Sequence, residues 1–131
     1  MNLAEKVIAL ISETVKSPLK TSYILKRGNE RIVLHPGGDY SGIDLSELDL
    51  SGLDLRNINL QDVNLKRANL SRANLTGAHL EKADLSGANL SGTVLSGASL
   101  KGATIDLLSL RKAIDAAEFS IDDIDTFKTG G

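Results

Sequence analysis

The chain of 131 residues contains no cysteine and no tryptophan, and only two tyrosines and two phenylalanines. Without cysteine there is no disulfide and no thiolate zinc site, and a reducing cytosol is permitted. With so few aromatics in a chain that is 41% hydrophobic, the core must be built from aliphatic side chains. Charge of one sign is also missing. Fifteen Lys and Arg against 17 Asp and Glu leave −2 at pH 7, so the whole molecule has no field that would gather nucleic acid or an anionic membrane. Long apolar runs are absent as well. In the opening stretch MNLAEKVIALISETVK, Glu5, Lys6 and Glu13 interrupt the hydrophobic residues, giving neither a secretory h-region nor a membrane span. The expectation is one soluble, cytoplasmic domain, the usual product of roughly 100–200 residues.

What is present is a repeat. From Ser41 onward an apolar residue falls on every fifth position: Leu45, Leu50, Leu55, Leu60, Leu65, Leu70, Leu75, Leu80, Leu85, Leu90, Leu95, Leu100 and Ile105. Two residues before each lies a second apolar or small residue, large from Ile43 through Leu48, Leu53 and Ile58 to Val63, then small from Ala68 to Ala103. A helix advances about 100° per residue, so a five-residue period would walk the leucines around its axis. A straight strand alternates faces, so an odd period would put successive leucines on opposite sides. Alternating steps of two and three are met when each pentapeptide makes one extended wall and one corner. Four corners close a square of about twenty residues, and coils then stack at the inter-strand spacing of ~4.8 Å. Thirteen such units make a little over three coils.

Ala68-Asn69-Leu70, Ala73-Asn74-Leu75, Ala83-Asp84-Leu85 and Ala88-Asn89-Leu90, with looser copies from Ile43-Asp44-Leu45 to Ala103-Thr104-Ile105, resemble the A(N/D)LXX repeat of the pentapeptide-repeat family. The resemblance covers about residues 39 to 106. It implies an all-β solenoid, a right-handed quadrilateral β-helix; the handedness comes from the resemblance alone. The expected organisation is 1–38, an amphipathic helix plus β-hairpin; 39–106, the β-helix; and 107–131, a helical cap with a frayed tail from Lys128.

Within the repeat, Asp or Asn precedes most of the leucines, and such side chains hydrogen-bond nearby backbone at turns. A metal ladder is the functional alternative, but charge and amide alternate without a clustered ligand set. The second corner position is Gly at 52, 77, 87, 92, 97 and 102 and Asn at 57, as a turn with positive φ requires. Glu47, Asp62, Arg67, Arg72 and Lys82 occupy the same slot, which predicts a different turn there and a less regular first half. The large inner residues of the first coil predict a wider coil, or space left by an end cap. Stacking at twenty residues predicts exposed ion pairs Glu47–Arg67 and Asp62–Lys82, each worth about 0–1 kcal/mol, and a line of Ser51, Ser71 and Ser91. From Ser86 to Gly102 the corners are small and uncharged until Lys101, a flat surface that tight turns alone would also select.

The two ends need cover, because an open β-helix exposes unpaired backbone. Asn2 with Glu5 resembles a capping box, and Leu3, Val7, Leu10, Ile11 and Val15 trace a helical stripe that ends at Ser17-Pro18. That stripe either caps the solenoid or makes a homodimer, so the chain is expected to be a monomer or a homodimer through a terminal helix. Tyr23–Lys26 and Arg31–Leu34 flank a tight turn at residues 27–30. At the far end Asp106 is placed to cap a helix with the stripe Leu107, Leu110, Ile114 and Ala117, and Ser120 with Asp123 suggests a further turn before Phe127.

A tube packed with Leu and Ala leaves no room for a substrate. No nucleophile paired with a base, no metal constellation and no phosphate loop stands out, so no catalytic residue, metal ligand or cofactor is assigned. His35 and His79 are solitary. The leading functional reading is a non-enzymatic structural or interaction module that binds an unidentified protein partner, not nucleic acid and not membrane. Lys66, Arg67 and Arg72, the basic cluster of the tower, are the candidate contact. The resemblance also implies an alternative: quinolone-resistance members mimic duplex DNA and bind DNA gyrase. Those are long and acidic, whereas residues 39–106 hold nine acidic against six basic side chains on a short tower.

Overall fold

The computed structural model describes residues 22–113 and the backbone of residues 126–128. In chain order these form a hairpin of β1 (Tyr23–Arg27) and β2 (Glu30–Leu34), a stack of square coils, β3 (Thr104–Asp106), the short helix α1 (Leu107–Arg111) and β4 (Thr126–Lys128). The helix expected over Leu3 to Val15 lies outside the described residues.

The coils close after twenty residues. Asp39 bridges Asn59 in parallel, Asp44 bridges Asn64, and the series continues without a slip to Asp84 with Thr104. Each bridge rests on two main-chain bonds: Leu45 N donates to Asn64 O at 2.8 Å, and Asn64 N returns to Ile43 O at 3.1 Å. Because both extend along the stack, one coil templates the next. All thirteen periodic leucine and isoleucine side chains are at most 1% exposed. Thr93, the one polar residue of the alanine column, is also buried, and its hydroxyl donates to Leu70 O at 2.6 Å. That bond offsets the cost of placing a hydroxyl where its neighbours have methyl groups.

The corners contradict the expectation of mixed turns. Glu47, Asn57, Asp62, Arg67, Arg72 and Lys82 all have φ between 57° and 62°, beside 66–77° for the corner glycines from Gly42 to Gly102. In each corner the residue after the turn donates back three residues, as Ala73 N does to Leu70 O at 3.0 Å. Meanwhile the positive-φ residue uses its own N–H on the coil above, as Arg72 N does on Ser91 O at 2.8 Å. A different turn would aim that N–H elsewhere and break the ladder. Left-handed backbone costs a side-chain-bearing residue roughly 1–2 kcal/mol, comparable to the lost bond and far less than a broken coil. The first half is therefore as regular as the second.

The large inner residues of the first coil do not widen it, since the twenty-residue register starts at Asp39. Instead they face a cap. Tyr23, Leu25 and Ile32 of the hairpin, together with Tyr40, Ile43 and Leu53, pack on the core, and Leu34 is fully buried. Polar groups complete the seal. Arg27 donates to Asp44 O at 3.1 Å and to Ser46 O at 2.5 Å, and Asp54 N donates to the Tyr23 hydroxyl at 2.8 Å. These are backbone groups that face downward with no coil beneath them. The hairpin loop is two residues shorter than the four expected, because Arg27 pairs with Glu30. Gly28, its first central residue, takes φ 59°, as a type II′ turn requires.

At the other end Leu110 is buried against the core and Gly92 N donates to Lys112 O at 2.9 Å. Asp106 sits at the N-cap of α1 with extended backbone, but its carboxylate makes no capping bond. It accepts from Gly87 N at 3.2 Å instead, because the top coil has an open N–H there. Thr126–Lys128 pairs in parallel with β3, so Lys128 belongs to a strand and not to a frayed tail. Ile114, Ala117, Ser120 and Asp123 lie outside the described residues.

Stacking makes otherwise equivalent glycines unequal. A Cβ on Gly77 would lie 2.3 Å from Asn57 Oδ1, while one on Gly52 meets nothing within 4 Å. Both have positive φ, so both alanine variants are strained. Gly77→Ala should nevertheless lose somewhat more stability than Gly52→Ala, by roughly a few tenths of a kcal/mol, because the exposed Asn57 amide must swing aside. Urea denaturation of the two variants checks this, and equal midpoints would refute the stacking account.

Candidate interaction surface

With the interior filled by leucine and alanine, chemistry is confined to outward slots. The slot before each leucine builds a turn: Asp39, Asp44, Asp49, Asp54, Asn59, Asn64, Asn69, Asn74, Asp84 and Asn89 each accept from the N–H two residues on, at 2.9–3.3 Å. Where a Ser or Thr follows, as at Ser46, Ser51, Ser71, Thr76 and Ser86, its hydroxyl donates to the same oxygen at 2.6–2.7 Å. The side chains of this slot, and the Ser51 and Ser71 hydroxyls of the serine line, are thus tied to their own corners. Among the described residues no group of three His, Asp or Glu side chains could hold a metal.

The cluster Lys66, Arg67 and Arg72 is not a single basic patch. Arg67 Nη2 lies 2.6 Å from Glu47 Oε1, and Lys66 Nζ lies 3.6 Å from Asp84 Oδ2. Arg72 stands on the next corner, its Cγ leaning over Gly92. No ion pair joins Asp62 to Lys82. Two further pairs, Arg27–Asp44 at 3.2 Å and Arg56–Asp54 at 2.8 Å, hold the first coil. His79 Nδ1 approaches Glu81 Oε1 at 3.4 Å, and His35 donates its backbone N–H to the Tyr40 hydroxyl at 3.0 Å. Burial pushes the Tyr40 phenol up despite that bond.

One feature escaped the sequence reading. A polar concavity of about 180 Å³ lies at the hairpin tip, lined by Lys26, Gly28, Asn29, Glu30 and Arg31. The β-hairpin pattern was the available signal, since strand alternation sends Lys26 and Arg31 to one face.

Comparison with known proteins settles the family. A model described as pentapeptide repeats, in eight copies, matches residues 41–77 and 78–114. The chain belongs to the pentapeptide-repeat family. Its fold is accordingly the right-handed quadrilateral β-helix, with one short helical flank among the described residues. Similar solved structures include a pentapeptide-repeat protein of the Arabidopsis thaliana thylakoid lumen, 37% identical over 53% of this chain and 55% of that one, with a TM-score of 0.47. HetL, a pentapeptide-repeat protein involved in heterocyst differentiation regulation in the cyanobacterium Nostoc sp. strain PCC 7120, is 40% identical over 50% of this chain and 33% of its own, with a TM-score of 0.46. A second Nostoc pentapeptide-repeat protein, alr5209, is 30% identical over 73% and 81%, with a TM-score of 0.43. The chain thus spans about half the length of the first and a third of the second. A search of curated proteins gave no match. No helix among the described residues is long and apolar enough to cross a membrane.

The corner bonds carry a pH signature. Ser46 and Ser51 hydroxyls and N–H groups hold Asp44 and Asp49 below the usual carboxylate range, and the Arg56 side chain does the same for Asp54. Burial pushes Asp84 up, but Ser86 and Lys66 outweigh it and leave it lowered. Folded-state values below the unfolded one, about 3.9, mean that this stabilisation is complete above the unfolded value and lost as pH falls through the lowered ones. The melting temperature should be flat from pH 7 to about 5 and fall steadily below about 4. Asp49→Asn keeps the acceptor and should blunt the fall; a wild-type melting temperature unchanged at pH 3 would refute the assignment.

Proposed function

We propose that the chain is a non-enzymatic protein-interaction module, a rigid post in the cytoplasm whose outer faces or end elements contact another protein. Pentapeptide-repeat proteins are structural or interaction modules. The observation that supports the reading most is the filled interior: all thirteen leucine and isoleucine side chains of the five-residue series are buried, so recognition falls to the outside. The ladder keeps that outside in one geometry, which lowers the entropy cost of docking a partner. Near-balanced charge favours a protein over nucleic acid or an anionic membrane as partner.

Affinity capture with the full chain from cells of the source organism tests this. One protein should be retained saturably, be displaced by unlabelled chain, and persist after nuclease treatment. Loss of capture on nuclease treatment would refute the protein-partner reading. The chain alone should sediment as a monomer, or as a homodimer if its terminal helix associates. Removing residues 107–131 should make the protein aggregate by uncovering the top coil; a truncated chain that stays monomeric with an unchanged melting temperature would overturn the cap.

A further inference from the structure

The hairpin that seals the first coil has two faces with different duties. Strand alternation turns Tyr23, Leu25, Ile32 and Leu34 onto the core, and Arg27 with them onto Asp44 and Ser46. The other face carries Ile24 opposite Val33 and Lys26 opposite Arg31. Val33 is 41% exposed, one of two large hydrophobic residues so exposed among those described. Lys26 and Arg31 are both exposed.

The second pair costs stability. Side chains directly opposite in an antiparallel ribbon have Cβ atoms about 4.5–5.5 Å apart, and like charges there repel. Neither Lys26 nor Arg31 forms an ion pair among the described residues, although five other pairs do form. Glu30, the nearest carboxylate in sequence, lies opposite Arg27 in the register. The two cations also line the concavity at the tip, together with Gly28, Asn29 and Glu30, so an entering carboxylate would meet two cations against one acid. Beside it the Ile24–Val33 pair offers an apolar contact.

We propose that the outer face of this hairpin is the partner-docking surface and that its occupant is an acidic protein segment, with a carboxylate between Lys26 and Arg31 and an aliphatic side chain on Ile24 and Val33. A carboxylate relieves the repulsion, so binding gains what the free hairpin lacks. Nucleic acid fits less well, because the face presents two cations and no aromatic side chain on which a base could stack. The proposal rests on the interaction-module reading and adds the face and the partner's chemistry to it.

Titration of the full chain into a fluorescein-labelled peptide of alternating Glu and Val tests it, with a Lys–Val peptide and a duplex DNA oligonucleotide alongside. The acidic peptide should bind, more weakly as salt rises, and the other two should not. Lys26→Glu with Arg31→Glu should weaken acidic-peptide binding at least tenfold and confer binding of the Lys–Val peptide. Lys26→Glu alone should weaken it while raising the melting temperature, since it turns the repulsive pair into an attractive one. That combination separates docking from a structural role, which would lower both. Equal binding by the double variant, no binding by the wild type at millimolar concentration, or preference for the DNA would each overturn the proposal. A captured partner held equally well by the double variant would do the same while leaving the interaction-module reading standing.

Discussion

Each coil is held to the next by main-chain hydrogen bonds at a fixed offset, and the rest of the molecule is arranged so that this offset does not slip. Leu45 N to Asn64 O and Asn64 N to Ile43 O recur, with only the numbers changed, up the whole stack. A slip of one residue would turn the leucines outward. The alternation of two- and three-residue steps is thus a register lock as much as a core. It also explains why six side-chain-bearing residues accept positive φ: each N–H at that position belongs to the ladder, and the cost of the conformation is local while the cost of a missing rung spreads to both neighbours.

How much of this was legible in the residues follows from that lock. The twenty-residue coil, the buried leucines and the Glu47–Arg67 pair depend only on spacing, which the chain displays openly. The corner conformation did not, because Arg67 and Lys82 carry no local preference for positive φ; tertiary closure imposes it. The charge partner of Lys66 in the basic cluster was hidden for a related reason. Lys66 and Arg67 adjoin Arg72 along the chain, but their charge partners are Asp84 and Glu47, eighteen and twenty residues away, so neighbours in sequence share less than neighbours in a column. The hairpin's outer pair was hidden differently. Lys26 stands opposite Arg31 with either loop length, but that this pair lies on the face turned away from the core is settled only by the packing of Tyr23, Leu25 and Ile32.

The two ends show the same constraint from its open side. A coil with nothing beneath it leaves N–H and C=O groups unmatched, and an unmatched edge invites another chain. The base is sealed by side chains rather than by another rung: Arg27 reaches two carbonyls and the Tyr23 hydroxyl takes one N–H. At the top, the Asp106 carboxylate and the Lys112 carbonyl take the N–H groups of Gly87 and Gly92. Asp106 therefore serves the ladder in preference to its own helix. A five-residue helix gains little from a cap, whereas an orphaned rung at a partly covered end costs a desolvated donor.

Electrostatics follows the column logic too. Stacked carboxylates about 4.8 Å apart would repel, and the first two coils avoid this by composition: Asp39, Asp44, Asp49 and Asp54 occupy the four walls of one coil, and Asn59, Asn64, Asn69 and Asn74 those of the next. The amide keeps the acceptor that the corner needs and adds a donor for the carboxylate below, as Asn59 Nδ2 does for Asp39 Oδ1 at 3.0 Å. A carboxylate returns above the amides only at Asp84, where Lys66 is within 3.6 Å. Arg27 and Arg56 reach Asp44 and Asp54 on the first coil, Lys66 reaches Asp84, and amides fill the rungs between. Among the described residues Arg72 and Lys82 on the tower also lack an ion pair, so what sets the hairpin cations apart is that Lys26 and Arg31 lie directly opposite each other across the ribbon, and it is on that opposition that the proposed docking face rests.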